Sequence, residues 1–174
     1  AEALMRWHHP RRGMISPLVF IPLAEHYGLI NTLGNWAIDE ACRQIRAWRN
    51  QGLRMRVAIN LSMHQLRQSD LAARIGAALA RNRLEPSVLT CEITESIAMD
   101  DSPATAEVIR QLAAIGVHLS IDDFGTGYSN FGWLSKLPLE EIKIDRGLVL
   151  DLEAGGRTRK IVDAVVKLAQ ALEL

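Results

Sequence analysis

The stretch VHLSIDDFGTG, residues 117–127, sets an apolar run of strand character directly before two adjacent carboxylates, Asp122 and Asp123, and a glycine-bearing turn. Four further runs read as strands: EALMRW at 2–7, RVAINLS at 56–62, VLTCEITE at 88–95 and EIKID at 141–145. Helical patterns lie between them. Ser16-Pro17 caps and opens a helix, and Pro22 is expected to break LVFIPLAEHYG into two short pieces. Leu33, Ala37, Ile38, Ala41, Cys42, Ile45 and Trp48 recur at three- and four-residue steps until Gly52. Leu71, Ile75, Ala78 and Leu79 mark another helix, and Ser102-Pro103 opens one that carries Val108, Ile109 and Leu112 and closes at Gly116. Ile161, Val162, Val165, Leu168, Ala169 and Leu172 outline a last helix. Strands alternating with helices are the rhythm of a parallel sheet, and no repeat or low-complexity linker divides it, so residues 1–174 read as one domain.

Composition narrows the chemistry. The 174 residues are 48% hydrophobic and 23% charged, enough to bury a sizeable core. Twenty basic residues balance twenty acidic ones, so no global field draws the chain to a nucleic acid polymer or an acidic membrane. Cys42 and Cys91 lack metal-ligand spacing and read as buried thiols of a reducing compartment, which places the protein in the cytoplasm. No run approaches the roughly 20 apolar residues of a membrane span, so no membrane contact is expected from this segment. The abrupt, strand-like opening suggests that an N-terminal segment precedes it.

Glu2, Asn60, Glu92 and Asp122 each fall in or at the end of a different strand, with Asp123 beside Asp122. The ends of successive parallel strands converge on one face of a barrel. A lone strand-end acid is ordinarily a solvated rim residue or an arginine's partner. Four acids and an amide brought together repel unless a cation holds them, and an all-oxygen set suits Mg²⁺ or Mn²⁺ rather than zinc. The adjacent Asp122-Asp123 pair fits a site in which one carboxylate bridges two ions, and two ions point to phosphoryl chemistry.

Lys143 is a cation inside an apolar strand. Two readings stand: an ion pair with Asp145 or another strand-end acid, or a charge beside the metals that positions water or steadies a phosphate. Arg6 lies in the first strand and shares the face of Glu2 by the two-residue period, and it suits either a phosphate or a structural carboxylate. GTGYSN, residues 125–130, follows two acids rather than opening a dinucleotide-binding helix, so it reads as a loop over the metals, which Glu95 could tie down. His8, His9, His26, His64 and His118 show no convergent spacing. Trp7, Trp36, Trp48 and Trp133 are expected to pack, with Trp133 and Phe131 near enough to the loop to touch a base.

Together these stretches resemble the EAL-domain family of cyclic-di-GMP-specific phosphodiesterases. Glu2-Ala3-Leu4 is the signature itself, and the resemblance continues in order through RWHHP, GMISPLVFIPLAEHYGLI, INLS, CEITES, DDFGTGYSN and KID. It implies a TIM-like (β/α)8 barrel, present here as about five strands. Two Mg²⁺ or Mn²⁺ ions would activate water to open cyclic di-GMP to linear pGpG. On that resemblance Glu2, Asn60, Glu92, Asp122 and Asp123 are the metal positions. Lys143 is the lysine near the attacking water, Glu95 supports the loop after the acid pair, and Asp145 is a second acid near the site. Arg6, Leu4 and Gln65 would line the substrate groove. The family's homodimers and fused sensory or diguanylate-cyclase-like domains are the expected partners.

The chain departs from the family at Asn130, Phe131 and Gly132 in the loop, and at Gly147 and Leu148, where Ser and Phe are usual. It also stops before the family's seventh strand, with its further glutamate, and starts after the usual first strand. The expectation is a segment of a longer polypeptide. The rival to an enzyme is a catalytically silent cyclic-di-GMP receptor, which in this family loses several ligands; all the positions covered here are kept. A purely structural domain would leave the acids as solvated rim residues.

Overall fold

A computed structural model describes the chain except for residues 101, 126–133, 135 and 153–155, so Thr126–Asn130 of the glycine loop, Phe131, Gly132 and Trp133 lie outside the described residues. Strand β1 (Glu2–Ala3) is followed by a small hairpin, β2 (Trp7–His9) and β3 (Gly13–Ile15), and by helices α1 (Pro17–His26) and α2 (Ile30–Asn50). Then come β4 (Val57–Asn60), α3 (Met63–Leu66), α4 (Leu71–Arg81), a 3-10 turn (Pro86–Val88), β5 (Leu89–Thr94), α5 (Glu95–Ala98) and α6 (Pro103–Ile115). Strands β6 (His118–Phe124) and β7 (Glu141–Ile144) and helices α7 (Arg146–Leu150) and α8 (Arg157–Ala171) complete the order.

The five strands expected from sequence form one sheet in the order β1-β4-β5-β6-β7, every pair parallel. Strand order follows chain order without reversal, so the sheet winds one way, as an arc of a barrel does, and has no doubly wound switch point. Paired residues share a face, and alternation does the rest. Val57, Ile59, Leu89, Cys91, Ile93, Leu119 and Ile121 are buried on one face, in a core shared with Ile38, Cys42 and Ile45 of α2, Ile75 and Leu79 of α4 and Ile109 and Leu112 of α6. The opposite face carries the polar set: Glu2 beside Ala58, Asn60 beside Glu92, Glu92 beside Ser120, Ser120 beside Glu141. This inner face is lined by short or charged side chains, and it is where the site lies.

Two expectations about the elements are corrected. Helix α1 runs unbroken through Pro22. The carbonyl that loses its partner there belongs to Leu18, which is 88% exposed, so water satisfies it and the missing bond costs little. Strand β1 ends at Ala3, where its pairing with Ile59 stops, and the chain turns away at 4–6 before the hairpin, which the sequence reading missed. The last helix forms where its three- and four-residue steps place it; Val165 is buried, Leu168 and Leu172 pack partly against the core, and Ile161 is exposed. Among the tryptophans, Trp48 packs against the core and Trp7 meets Phe20 edge-on, but Trp36 is 56% exposed. Both cysteines are free, buried thiols. No helix among the described residues is long and apolar enough to cross a membrane.

Candidate metal centre at the strand ends

Glu2, Glu92 and Asp122 come from three separate strands, and one carboxylate oxygen of each lies within 4.8 Å of the others. Lys143 of β7 reaches into the middle of them. Its Nζ is 2.9 Å from Glu92 Oε1, 3.1 Å from Asp122 Oδ1 and 3.7 Å from Glu2 Oε2. The partner is therefore the strand-end triad, not Asp145, one of the alternatives that sequence left open. Asn60 joins by donating from Nδ2 to Glu2 Oε1 at 2.9 Å. Strand pairing explains the convergence: Asn60 is the direct neighbour of Glu92, and Asp122 lies one two-residue step beyond Ser120, the neighbour of Glu92.

Adjacent strand residues ordinarily point to opposite faces, which would separate Asp122 from Asp123. The β6–β7 register shifts between Ile121 and Phe124, and Asp123 takes a φ of 54°, a left-handed conformation that aspartate tolerates better than most residues. The bulge breaks the alternation and leaves Asp123 within electrostatic reach of Asp122, Asp145, Lys143 and Glu2.

The electrostatics are those of crowded acids. Burial raises the pKa of Glu92, and Glu2 and Asp122 add to the rise against the opposing hydrogen bond and charge of Lys143. Asp123 is likewise raised, by burial first and then by repulsion from Asp122 and Asp145. Burial alone would lower the pKa of Lys143, but its bonds to Glu92 and Asp122 outweigh that and hold the ammonium charged, well above its usual range. One ammonium among three carboxylates still leaves an excess of negative charge. Glu92 is 3% exposed, and its Oε2 has no hydrogen-bond partner among the described residues. A buried, unpartnered carboxylate oxygen inside an all-oxygen donor set is what a hard divalent cation satisfies.

The other candidates are placed as follows. Glu95 opens α5, is 3% exposed, and accepts the Gly125 N–H at Oε2, 2.9 Å away. Asp145 is the N-cap of α7, where Oδ1 accepts from Gly147 N at 2.8 Å. Arg6 lies beyond the end of β1, so strand period does not fix its direction; it is exposed and donates to Met5 O at 2.8 Å. Leu4, 53% exposed, shares with Glu2 and Arg6 a groove that is walled on its far side by Trp36 and Trp48. Gln65 is 2% exposed, its Oε1 accepts from Ser62 N at 3.1 Å in a capping box, and its amide packs against Gly34 of α2. The S-x-x-Q spacing of Ser62 and Gln65 carried that local reading.

Comparison with known proteins bears on the whole chain. The family model for the EAL domain matches residues 1–174. The bifunctional diguanylate cyclase/cyclic di-GMP phosphodiesterase MucR of Pseudomonas aeruginosa is 48% identical over 99% of the chain and 25% of that protein. The cyclic di-GMP phosphodiesterase PdeR of Escherichia coli is 39% identical over 99% of the chain and 26% of its own length. The chain thus spans about a quarter of these curated relatives. Among solved structures, the P. aeruginosa MucR phosphodiesterase in its c-di-GMP complex superposes with a TM-score of 0.94 at 48% identity, covering 99% of the chain and 70% of that structure. The EAL domain of Mycobacterium smegmatis DcpA gives 0.78 at 34% identity over 84% of the chain and 66% of that structure. The one-way parallel arc with acids at its strand ends is an incomplete TIM-like barrel, and the chain belongs to the EAL domain family.

Proposed function

We propose that this chain belongs to the catalytic domain of a metal-dependent phosphodiesterase that hydrolyses cyclic di-GMP to linear pGpG. The observation that carries the reading is the gathering of Glu2, Glu92 and Asp122 around Lys143, with the buried Glu92 Oε2 left unpartnered, in a chain of this family. Glu2, Asn60, Glu92, Asp122 and Asp123 would hold two Mg²⁺ or Mn²⁺ ions, which when bound supply a hydroxide nucleophile and neutralise charge on the phosphate. The reaction adds water across one phosphodiester, so a P–O bond forms to the water oxygen and one to a ribose oxygen breaks.

The chain's own groups have separable tasks. Lys143 stays charged and presents a cation beside the acids, suited to orienting water or steadying a phosphate oxygen. Arg6, free of any strand, can swing its guanidinium onto a phosphate. Glu95 holds the peptide that follows the acid pair, and Asp145 fixes the start of α7 behind it. In the intact protein we expect a homodimer and a fused signalling domain, consistent with the two activities in the MucR name, and a cytoplasmic location, consistent with two unpaired thiols.

Chromatography of nucleotide products tests the reading. Mg²⁺ or Mn²⁺ should yield pGpG, a chelator should abolish it, and Ca²⁺, which prefers more ligands and looser geometry, should inhibit. Turnover undiminished by chelator would remove the metal mechanism. Binding of cyclic di-GMP without cleavage under any ion would leave a receptor.

A further inference from the structure

Gly125 follows directly on Asp122, Asp123 and Phe124, and its φ of 102° belongs to the region that glycine alone enters without strain. Three contacts close on this short stretch. The Gly125 N–H donates to Glu95 Oε2 at 2.9 Å. The preceding carbonyl, Phe124 O, accepts from Asp145 N at 3.1 Å. On the third side, Cδ1 of Leu148 lies 2.5 Å from the point a Cβ on residue 125 would occupy, so this leucine fills the space the glycine leaves open. The other large apolar residues of α7, Val149 and Leu150, are 48% and 63% exposed, which makes Leu148 the docking residue of that helix.

We propose that Leu148 is a positioning residue for the carboxylate pair, holding the left-handed turn Asp123–Gly125 against α7. The polar grips fix the peptide at Gly125, and Leu148 prevents the backbone from moving toward α7. Asp123 is kept at φ 54° only while its surroundings insist on it. Released, it relaxes to ordinary strand dihedrals, and alternation carries its carboxylate away from Asp122 and Glu2. This inference rests on the phosphodiesterase reading and adds a part that the acids themselves do not reveal.

The test compares Leu148→Ala and Leu148→Met with wild type in the full chain, by Mn²⁺ calorimetry and steady-state kinetics. Leu148→Ala should weaken Mn²⁺ binding and lower kcat by about 10-fold each, with KM for cyclic di-GMP within about twofold, whereas Leu148→Met, of similar volume, should restore both. Leu148→Ala added to Asp123→Asn should weaken Mn²⁺ binding no further than Asp123→Asn alone, because both remove the same carboxylate. A role in packing alone would lower the melting temperature and leave the two effects on Mn²⁺ additive. If Leu148→Ala fails to fold, Leu148→Val is read in the same way. Wild-type Mn²⁺ affinity in a folded Leu148 variant, or full additivity with Asp123→Asn, overturns the proposal. A wild-type chain that neither binds Mn²⁺ nor cleaves overturns the phosphodiesterase reading itself, and this inference with it.

Discussion

Lys143 is the residue at which sequence and structure part most usefully. Sequence could see a cation in an apolar strand but could not choose its partner, because the three acids it meets are 51, 21 and 141 residues away along the chain. The structure makes it the counter-ion of the triad. Glu92 is nearly inaccessible, so removing its partner strands a buried charge, but Lys143 keeps 30% of its side chain exposed and solvent relieves part of the loss. Lys143→Met should therefore lower metal-free stability by about 1–3 kcal/mol. Mn²⁺ then has fewer positive charges to displace, so the variant should bind it at least as tightly as wild type, recover most of the lost melting temperature on saturation, and still turn over slowly for want of the ammonium. Differential scanning with and without Mn²⁺ reads this directly. A loss that Mn²⁺ does not recover would mean that the triad is not a cation site. Gln65 teaches the converse lesson: its motif spacing was legible, but burial against Gly34 depends on how α2 crosses α3, which no local pattern contains.

At the scale of elements, strands were legible by their apolar runs and helices by their three- and four-residue steps, and each of the five sheet strands matches a run read from the sequence. What failed was termination. The first strand reads through to residue 7 because Ala3, Leu4, Met5 and Trp7 make the run mostly apolar, yet a strand lasts only as long as its neighbour offers partners, and β4 ends at Asn60. Pro22 does not break its helix because a breaker's penalty depends on whether water reaches the orphaned carbonyl. Gly116 ends its helix for a reason that can be measured. It closes α6 with φ 90°, and a Cβ there would meet Pro86 Cβ at an ordinary 3.5 Å, so substitution incurs conformational strain and little steric clash. Gly116→Ala should reduce stability by about 1 kcal/mol, seen as a lower urea midpoint at unchanged slope. The residue lies two positions before β6, at the end opposite Asp122, so Mn²⁺ affinity should not change. A shift in affinity would show that the two ends of the strand are coupled.

Over the whole molecule, the alternation of β4, β5 and β6 divides the sheet into an apolar outer face under the helices and a polar inner face toward the site. This division is the global feature that sequence carried best, because it needs only strand identity and a two-residue period. What it could not carry was which apolar residues stay uncovered: Tyr27, Leu29 and Trp36 line a groove of about 630 Å³ with Trp7 and Leu23, although Trp36 is expected to pack. Whether the outer-face core is cohesive in the 174-residue chain can be tested through its two thiols. Cys42 on α2 and Cys91 on β5 have no accessible surface, and burial pushes their pKa values up to about 11 and about 12. A thiol attacks only as the thiolate, so each residue is shielded twice, by access and by protonation. Both should resist iodoacetamide at pH 8 in native buffer and react together once urea passes the unfolding midpoint, since α2 and β5 belong to one core. Mass spectrometry of the alkylated peptides separates the cases. Early labelling of Cys42 alone would mean that α2 detaches from the sheet before the rest unfolds. Labelling of both at the unfolded rate in native buffer would mean that an arc of five strands does not hold its core without the surfaces a closed barrel would add.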